Sequence, residues 1–190
     1  MSTISKTMTA EEFYEWVHLA EHQDRNFELV RGEIIEMSPP GKYHGFVCAN
    51  VAAILGKFAF RHGKGYVCTN GSGVIVERDP DTVRGPDVTF YLDSQTAADM
   101  DRKYAEQPPV LSADVLSPND RTNSPTIRVT QLINRGVKTV WIIDPEAKDI
   151  CVYRAGEDPT LLSEQDKLTD GANLPGFECP VAEFFAIPGS

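Results

Sequence analysis

The sequence lacks several things. No stretch of roughly 18 consecutive apolar residues occurs among its 190 residues, so no membrane-spanning helix is expected. The opening Met1-Ser-Thr-Ile-Ser-Lys-Thr-Met-Thr has none of the apolar length of a secretion signal, which makes the cytoplasm the expected compartment. Cysteine is scarce: Cys48, Cys68, Cys151 and Cys179 stand 20, 83 and 28 positions apart. No pair has the Cys-x-x-Cys spacing of a zinc knuckle, and without a secretion signal buried free thiols are the simpler reading. Positive charge is short as well, with 18 Lys and Arg against 28 Asp and Glu and a net charge of −10. Taken whole, that balance argues against a protein that coats nucleic acid by charge alone. Internal repeats, low-complexity tracts and a linker long enough to divide the chain are all missing.

What is present fits one globular unit, expected to span residues 1–190. The chain is 41% hydrophobic and 24% charged. At this length it buries about 70% of the surface it exposes when unfolded, so it needs no staples. Its acidity is uneven. Residues 1–40 carry 3 basic and 8 acidic side chains, residues 41–140 carry 12 and 10, and residues 141–190 carry 3 and 10. The middle of the chain is therefore mildly basic between two acidic ends.

Periodicity and turn chemistry set the expected elements. Thr9 with Glu12 three residues on forms a capping box, and Phe13, Trp16, Val17 and Ala20 recur at helical spacing, predicting a helix from about Ala10 to Glu21. Two apolar runs around Arg31-Gly32 predict a β-hairpin over Asn26 to Met37. Val47, Val51, Ile54, Leu55 and Phe58 predict a long helix from Tyr43 to Arg61, ended by Gly63 and Gly65. Strands are expected at Tyr66–Thr69, Gly73–Glu77, Asp87–Leu92 and Val110–Leu116, with residues 93–107 an exposed loop holding a little helix. Ser124 as cap and Pro125 at the first helical position open another helix, which ends at Gly136. The nearly unbroken apolar run Thr139–Asp144 suits a central strand covered on both faces, paired with Ile150–Arg154 across a turn. The tail holds one or two short strands and a short helix near Val181–Phe185. The sum is an α/β (α+β) domain, a mixed β-sheet flanked by helices.

Two aspartates break local rules. Asp87 opens an apolar strand directly after Pro86, and Asp114 lies inside the strand Val-Leu-Ser-Ala-Asp-Val-Leu. Aspartate is depleted in strands, and a buried carboxylate is costly unless paired, protonated or metal-bound. Alternation puts Ser112, Asp114 and Leu116 on one face. If the two strands are neighbours, the two carboxylates converge on one hard cation such as magnesium. The plainer readings are a strand-end capping role for Asp114 and a Gly-Pro-Asp turn for Asp87. Arg128 follows on the next helix. Its fork suits a phosphate or carboxylate, although most helical arginines are simply solvated.

Taken in order, Phe27-Glu-Leu-Val-Arg-Gly-Glu-Ile-Ile-Glu-Met-Ser-Pro, His44, Pro86-Asp87-Val, Asp114-Val-Leu-Ser-Pro-Asn-Asp-Arg, Arg128 with Gly136-Val137, and Val140-Trp-Ile-Ile-Asp-Pro resemble one family. It is the Uma-two family of restriction-endonuclease-like proteins, and the likeness runs from about residue 8 to residue 185. The resemblance implies a PD-(D/E)XK nuclease fold and hydrolysis of DNA phosphodiester bonds. It further implies a magnesium ion, with manganese as a substitute, no small-molecule cofactor, and a homodimer for double-strand cutting. It assigns Asp87 and Asp114 as metal ligands, with the Val115 carbonyl as a further ligand and Glu28 as an accessory one. His44 matches a recurrent histidine, either a phosphate contact or a tie between the Ser38-Pro39 turn and the long helix. Arg121 joins it as a substrate-binding candidate.

Three departures from the family pattern stand out. Asp114 occupies a place where the family more often has Glu. Leu132 replaces an aromatic residue. Arg128 stands where a lysine is expected. Arginine stays protonated, so it cannot relay a proton, but it can stabilise charge developing on a phosphate. A catalytically weakened relative that binds DNA or a protein partner is the competing expectation.

Overall fold

The structure is a computed structural model that describes residues 7–93, 95–117 and 125–187. Helix α1 (Ala10–Val17) is capped as the sequence predicts: Glu12 N–H donates to the Thr9 hydroxyl while the Glu12 carboxylate accepts from Thr9 N–H. It stops four residues earlier than expected. Leu19 takes an extended conformation, and a single 3-10 turn, Ala20–His22, follows. There Trp16 stacks on His22 with ring centroids 3.7 Å apart.

Strands β1 (Asn26–Val30) and β2 (Glu33–Met37) form the predicted hairpin. Both turn residues have positive φ, 52° at Arg31 and 80° at Gly32, the geometry whose twist matches a two-residue hairpin. Helix α2 (Lys42–His62) matches its prediction to within a residue and ends on Gly63 in the left-handed region. By length and composition alone α2 is long and apolar enough to cross a bilayer. A core helix passes the same test, and Val47, Val51, Leu55 and Phe58 are buried in the main core.

Next come β3 (Tyr66–Thr69), β4 (Val74–Glu77), β5 (Thr82–Arg84), β6 (Val88–Tyr91) and β7 (Leu111–Val115). The short β5 was not expected. It exists because it lies between β1 and β4 and pairs with both. The 95–107 segment carries no helix; Ala105 bridges to Val74, and Tyr104 packs on Phe13 at 5.7 Å. Helix α3 (Thr126–Arg135) starts one residue after Pro125 and ends on Gly136. The expected cap, Ser124, lies outside the described residues. Strands β8 (Thr139–Asp144) and β9 (Asp149–Arg154) form a hairpin, and the tail adds β10 (Thr160–Leu162), β11 (Lys167–Thr169), β12 (Glu178–Pro180) and a 3-10 turn, Val181–Phe184.

Six strands form the main sheet in the order β10-β9-β8-β7-β6-β3. Among the described strands of this sheet only β7 and β8 run parallel, and α3 lies in the crossover between them. The second sheet, β2-β1-β5-β4, and a two-stranded β11-β12 ribbon complete the mixed α/β architecture. Alternation along β7 divides the cores. Leu111, Ala113 and Val115 join α2, Trp141 and the C-terminal aromatics in the larger cluster. Leu116 packs instead with Val129 and Leu132 of α3, Val74 and Val76 of β4, and Val140 and Ile142 of β8. Asp114 shares the parity of Leu116, so it looks towards α3.

Candidate active site at the ends of β6 and β7

Antiparallel pairing of β6 with β7 sets Val88 against Ala113 and Thr89 against Ser112. Continued one residue, the same register sets Asp87 against Asp114. Asp87 sits just before its strand, and its Oδ2 accepts the Val115 N–H at 2.8 Å. The two aspartates thus stand opposite each other at one end of the sheet, on neighbouring strands as the sequence reading required. The Val115 carbonyl belongs to the last residue of β7, next to Asp114.

Arg128 reaches this point from the first turn of α3, which follows β7 closely enough to lie over its end. Its guanidinium holds both oxygens of Asp114, Nε to Oδ2 at 2.9 Å and Nη2 to Oδ1 at 3.1 Å. Nη2 also donates to the Gly85 carbonyl at 3.0 Å, and Nη1 pairs with Glu28. Arg128 is therefore not a solvated helical arginine. Nor does it point at solvent as a free phosphate ligand. It neutralises two buried acids, a demand that burial itself creates.

Glu28 lies in the middle of β1, 4% exposed. Besides Arg128 it accepts from Arg84 Nη1 at 2.8 Å and from the Gly85 N–H at 2.8 Å. Arg84 in turn donates to Gln131 Oε1 from Nε at 2.9 Å and from Nη2 at 2.8 Å, and Gln131 passes on to Glu77 at 3.0 Å. The accessory acid is thus built into a network that ties the smaller sheet to α3.

His44, in the first turn of α2, turns its Nε2 to Asp87 Oδ2 at 3.3 Å and its Nδ1 to Cys48 Sγ at 3.4 Å. The expected tie to the Ser38-Pro39 turn gives way to this pairing. Arg121 lies outside the described residues.

Burial pushes the Asp114 carboxyl above its ordinary range; Arg128 pulls it back and neighbouring Asp87 pushes it further up. Burial likewise opposes ionisation of Glu28, but Arg128, the Gly85 N–H and Arg84 outweigh it and hold the carboxyl below its usual value. Burial works against the Arg128 charge, and Asp114 and Glu28 more than restore it. The Asp87 carboxylate, followed by Cys48, raises His44 to about 10 against the effect of burial, so the ring is a cation at neutral pH. Burial raises the Cys48 thiol.

A family model described as "Putative restriction endonuclease" matches residues 10–182. The chain belongs to the Uma2 family. The fold agrees: a solved structure described as a "putative nuclease belonging to DUF820" from Anabaena variabilis superposes with a TM-score of 0.78, covering 94% of this chain and 97% of that one at 14% identity. No curated protein matches the chain.

Within this Uma2 fold the donors suit a divalent ion in kind, because carboxylate oxygens are hard ligands. The fit is conditional at Asp114, where the guanidinium already occupies both oxygens. Asp87 is the more open acid, its side chain 27% exposed. Sequence reasoning missed three residues of the site. Arg84 carries no local signal because β5 has only three residues, and Gln131 is one polar residue on α3. Cys48 has the composition signal of a buried free thiol only, yet its spacing of four from His44 on a helix is a visible cue.

Proposed function

We propose that this Uma2 protein is a magnesium-dependent endonuclease that hydrolyses DNA phosphodiester bonds. The observation that carries this reading is the pairing of Asp87 with Asp114 at the end of β6 and β7, beside a fixed cation. Asp87 and Asp114 would hold the ion, with the Val115 carbonyl a further ligand and manganese an acceptable replacement. Such an ion lowers the pKa of bound water and polarises a phosphate. Glu28 keeps Arg128 in place, and Arg128 supplies fixed positive charge towards a phosphate once its hold on Asp114 relaxes. The Asp87 carboxylate orients His44, whose charge faces the same end of the sheet. Arg121 is a further phosphate contact in this reading. Two such sites on a homodimer would cut both strands.

We read the whole as one domain over about residues 8–185, which the extent of the family match supports. A reducing cytoplasm agrees with four free cysteines.

The direct test is supercoiled plasmid cleavage with and without magnesium, for the wild type, Asp87→Ala and Asp114→Ala. Cleavage is expected only for the wild type with metal. Nicking that survives both substitutions rejects the proposal.

The fork between Arg128 and Asp114 favours one alternative: the guanidinium replaces the metal outright, and the fold serves as a DNA- or protein-binding module. Arg128→Lys separates the two. Lysine spans the same acids with a single point charge and leaves an Asp114 oxygen open. A sharp gain in cleavage identifies a nuclease centre restrained by its arginine. No gain, with no magnesium heat in calorimetry, identifies the module.

A further inference from the structure

The His44 corner has a chemistry distinct from that of the acid pair. A ring nitrogen of His44, the Cys48 sulfur and an Asp87 oxygen lie within 4.8 Å of one another. We propose that His44, Cys48 and Asp87 form a zinc site, three protein ligands with a fourth position left to water. This site shares Asp87 with the acid pair but draws its other two ligands, His44 and Cys48, from α2.

Ligand type is the first argument. Imidazole and thiolate suit zinc-class ions, whereas magnesium takes oxygen donors and does not favour sulfur. A nitrogen–sulfur–oxygen set therefore selects a different ion from the one that Asp87 and Asp114 would hold.

Geometry is the second. Bonds of about 2.0 Å to nitrogen or oxygen and about 2.3 Å to sulfur place tetrahedral ligand atoms about 3.3–3.6 Å apart. His44 Nε2 already stands at that spacing from Asp87, 3.3 Å, while Cys48 meets the ring at its other nitrogen, Nδ1, at 3.4 Å. An ion takes one ring nitrogen, and with the three ligand atoms within 4.8 Å of one another the set has to close by up to about 1.3 Å to reach that spacing.

Rigidity is the third. His44 and Cys48 are one turn apart on a 21-residue helix whose Val47 and Val51 are anchored in the core. Asp87 is held from the other side by the Val115 N–H at 2.8 Å. The half-exposed Asp87 flank is the side from which an ion and its water enter. Uptake displaces the thiol proton of Cys48 and a ring proton of His44 to solvent.

Because Asp87 is shared, zinc here competes with magnesium for the nuclease centre. That consequence rests on the proposed nuclease reading; zinc binding does not.

The test uses cobalt(II) as a spectroscopic stand-in on the full-length, metal-stripped protein. The expected result is one equivalent bound, with tetrahedral visible bands and a thiolate-to-cobalt charge-transfer band, both bleached by stoichiometric zinc and not by excess magnesium. Cys48→Ser, and Cys48→Ala as a second variant, lose the charge-transfer band. His44→Gln weakens cobalt binding by roughly tenfold or more. Asp114→Ala keeps the full spectrum. A charge-transfer band absent from the wild type, or retained in both Cys48 variants through another thiol, overturns the proposal. Bands that appear in a protein whose metal-stripped form, given magnesium alone, cleaves no plasmid uphold the zinc site and reject the nuclease.

Discussion

Arg128 grips both carboxylate oxygens of Asp114, with Nε to Oδ2 at 2.9 Å and Nη2 to Oδ1 at 3.1 Å, and the same guanidinium pairs with Glu28. A single buried cation thus serves two acids from different strands. The arrangement does electrostatically what a bound ion would do, and the first prediction follows from that.

Arg128→Ala leaves Asp114 and Glu28 buried without their main counter-charge. Breaking a buried pair on one side costs about 3–5 kcal/mol. Urea unfolding should show a loss of that size, with Arg128→Lys recovering part of it. Magnesium should raise the Tm of Arg128→Ala by more than it raises that of the wild type, because the ion replaces the missing charge. An equal shift in both proteins would show that the guanidinium and the ion do not share a place.

Gly85 is a steric hinge of the site. Its N–H donates to Glu28 and its carbonyl accepts from Arg128, while a Cβ on it would stand 2.8 Å from the Gly71 carbonyl oxygen. Gly85→Ala must push one backbone segment away from the other. Overpacking of this kind costs about 1–3 kcal/mol. Chemical denaturation should register that loss, together with weaker magnesium binding by calorimetry. A variant as stable as the wild type would mean that the Gly71 loop yields freely.

Glu28 gives the fold an acid-sensitive element. Its folded pKa lies below its ordinary value of 4.5 because Arg128, the Gly85 N–H and Arg84 outweigh burial. A depressed acid contributes stability that is complete above the unfolded pKa and is lost as pH falls through the folded one. Asp114, raised by burial, works in the opposite sense. Comparing the wild type with Glu28→Gln isolates the first contribution. Below about pH 4.5 the stability gap between the two should narrow as pH falls. A gap that stays constant down to strongly acid pH would contradict the assigned ion pairs.

Asp170 anchors the C-terminal segment. It is 1% exposed and accepts from Thr139 Oγ1 at 2.7 Å and Arg154 Nε at 3.0 Å. Asp170→Ala strands a buried hydroxyl and a largely buried guanidinium, at a cost of about 3 kcal/mol. Hydrogen exchange should then show faster opening of β8, β9 and the 170–177 turns. The β6–β7 site lies across the sheet and should keep its protection; opening there as well would mean that the two ends unfold as one unit.

Much of this protein was legible before any tertiary contact was known, and for local reasons. The Thr9–Glu12 capping box, the Arg31-Gly32 turn, the glycine that ends α2 and the doubly covered β8 depend on neighbours a few residues away. The chain sets those neighbours itself. Asp87 and Asp114 also stood out by sequence, because a carboxylate in an apolar strand has to be compensated by something. What compensates it was not legible. Arg128 is 14 positions from Asp114 and 100 from Glu28, and only the β7–α3–β8 crossover and the second sheet bring the three together. β5 is a strand only because β1 and β4 flank it. Cys48 and His44 share a helix turn, but only the fold sets Asp87 on the far side of the His44 ring. Backbone propensity acts over a turn or two, so a sequence can declare it. Charge pairing in a low-dielectric interior depends on distance in space, so only the packed fold decides it.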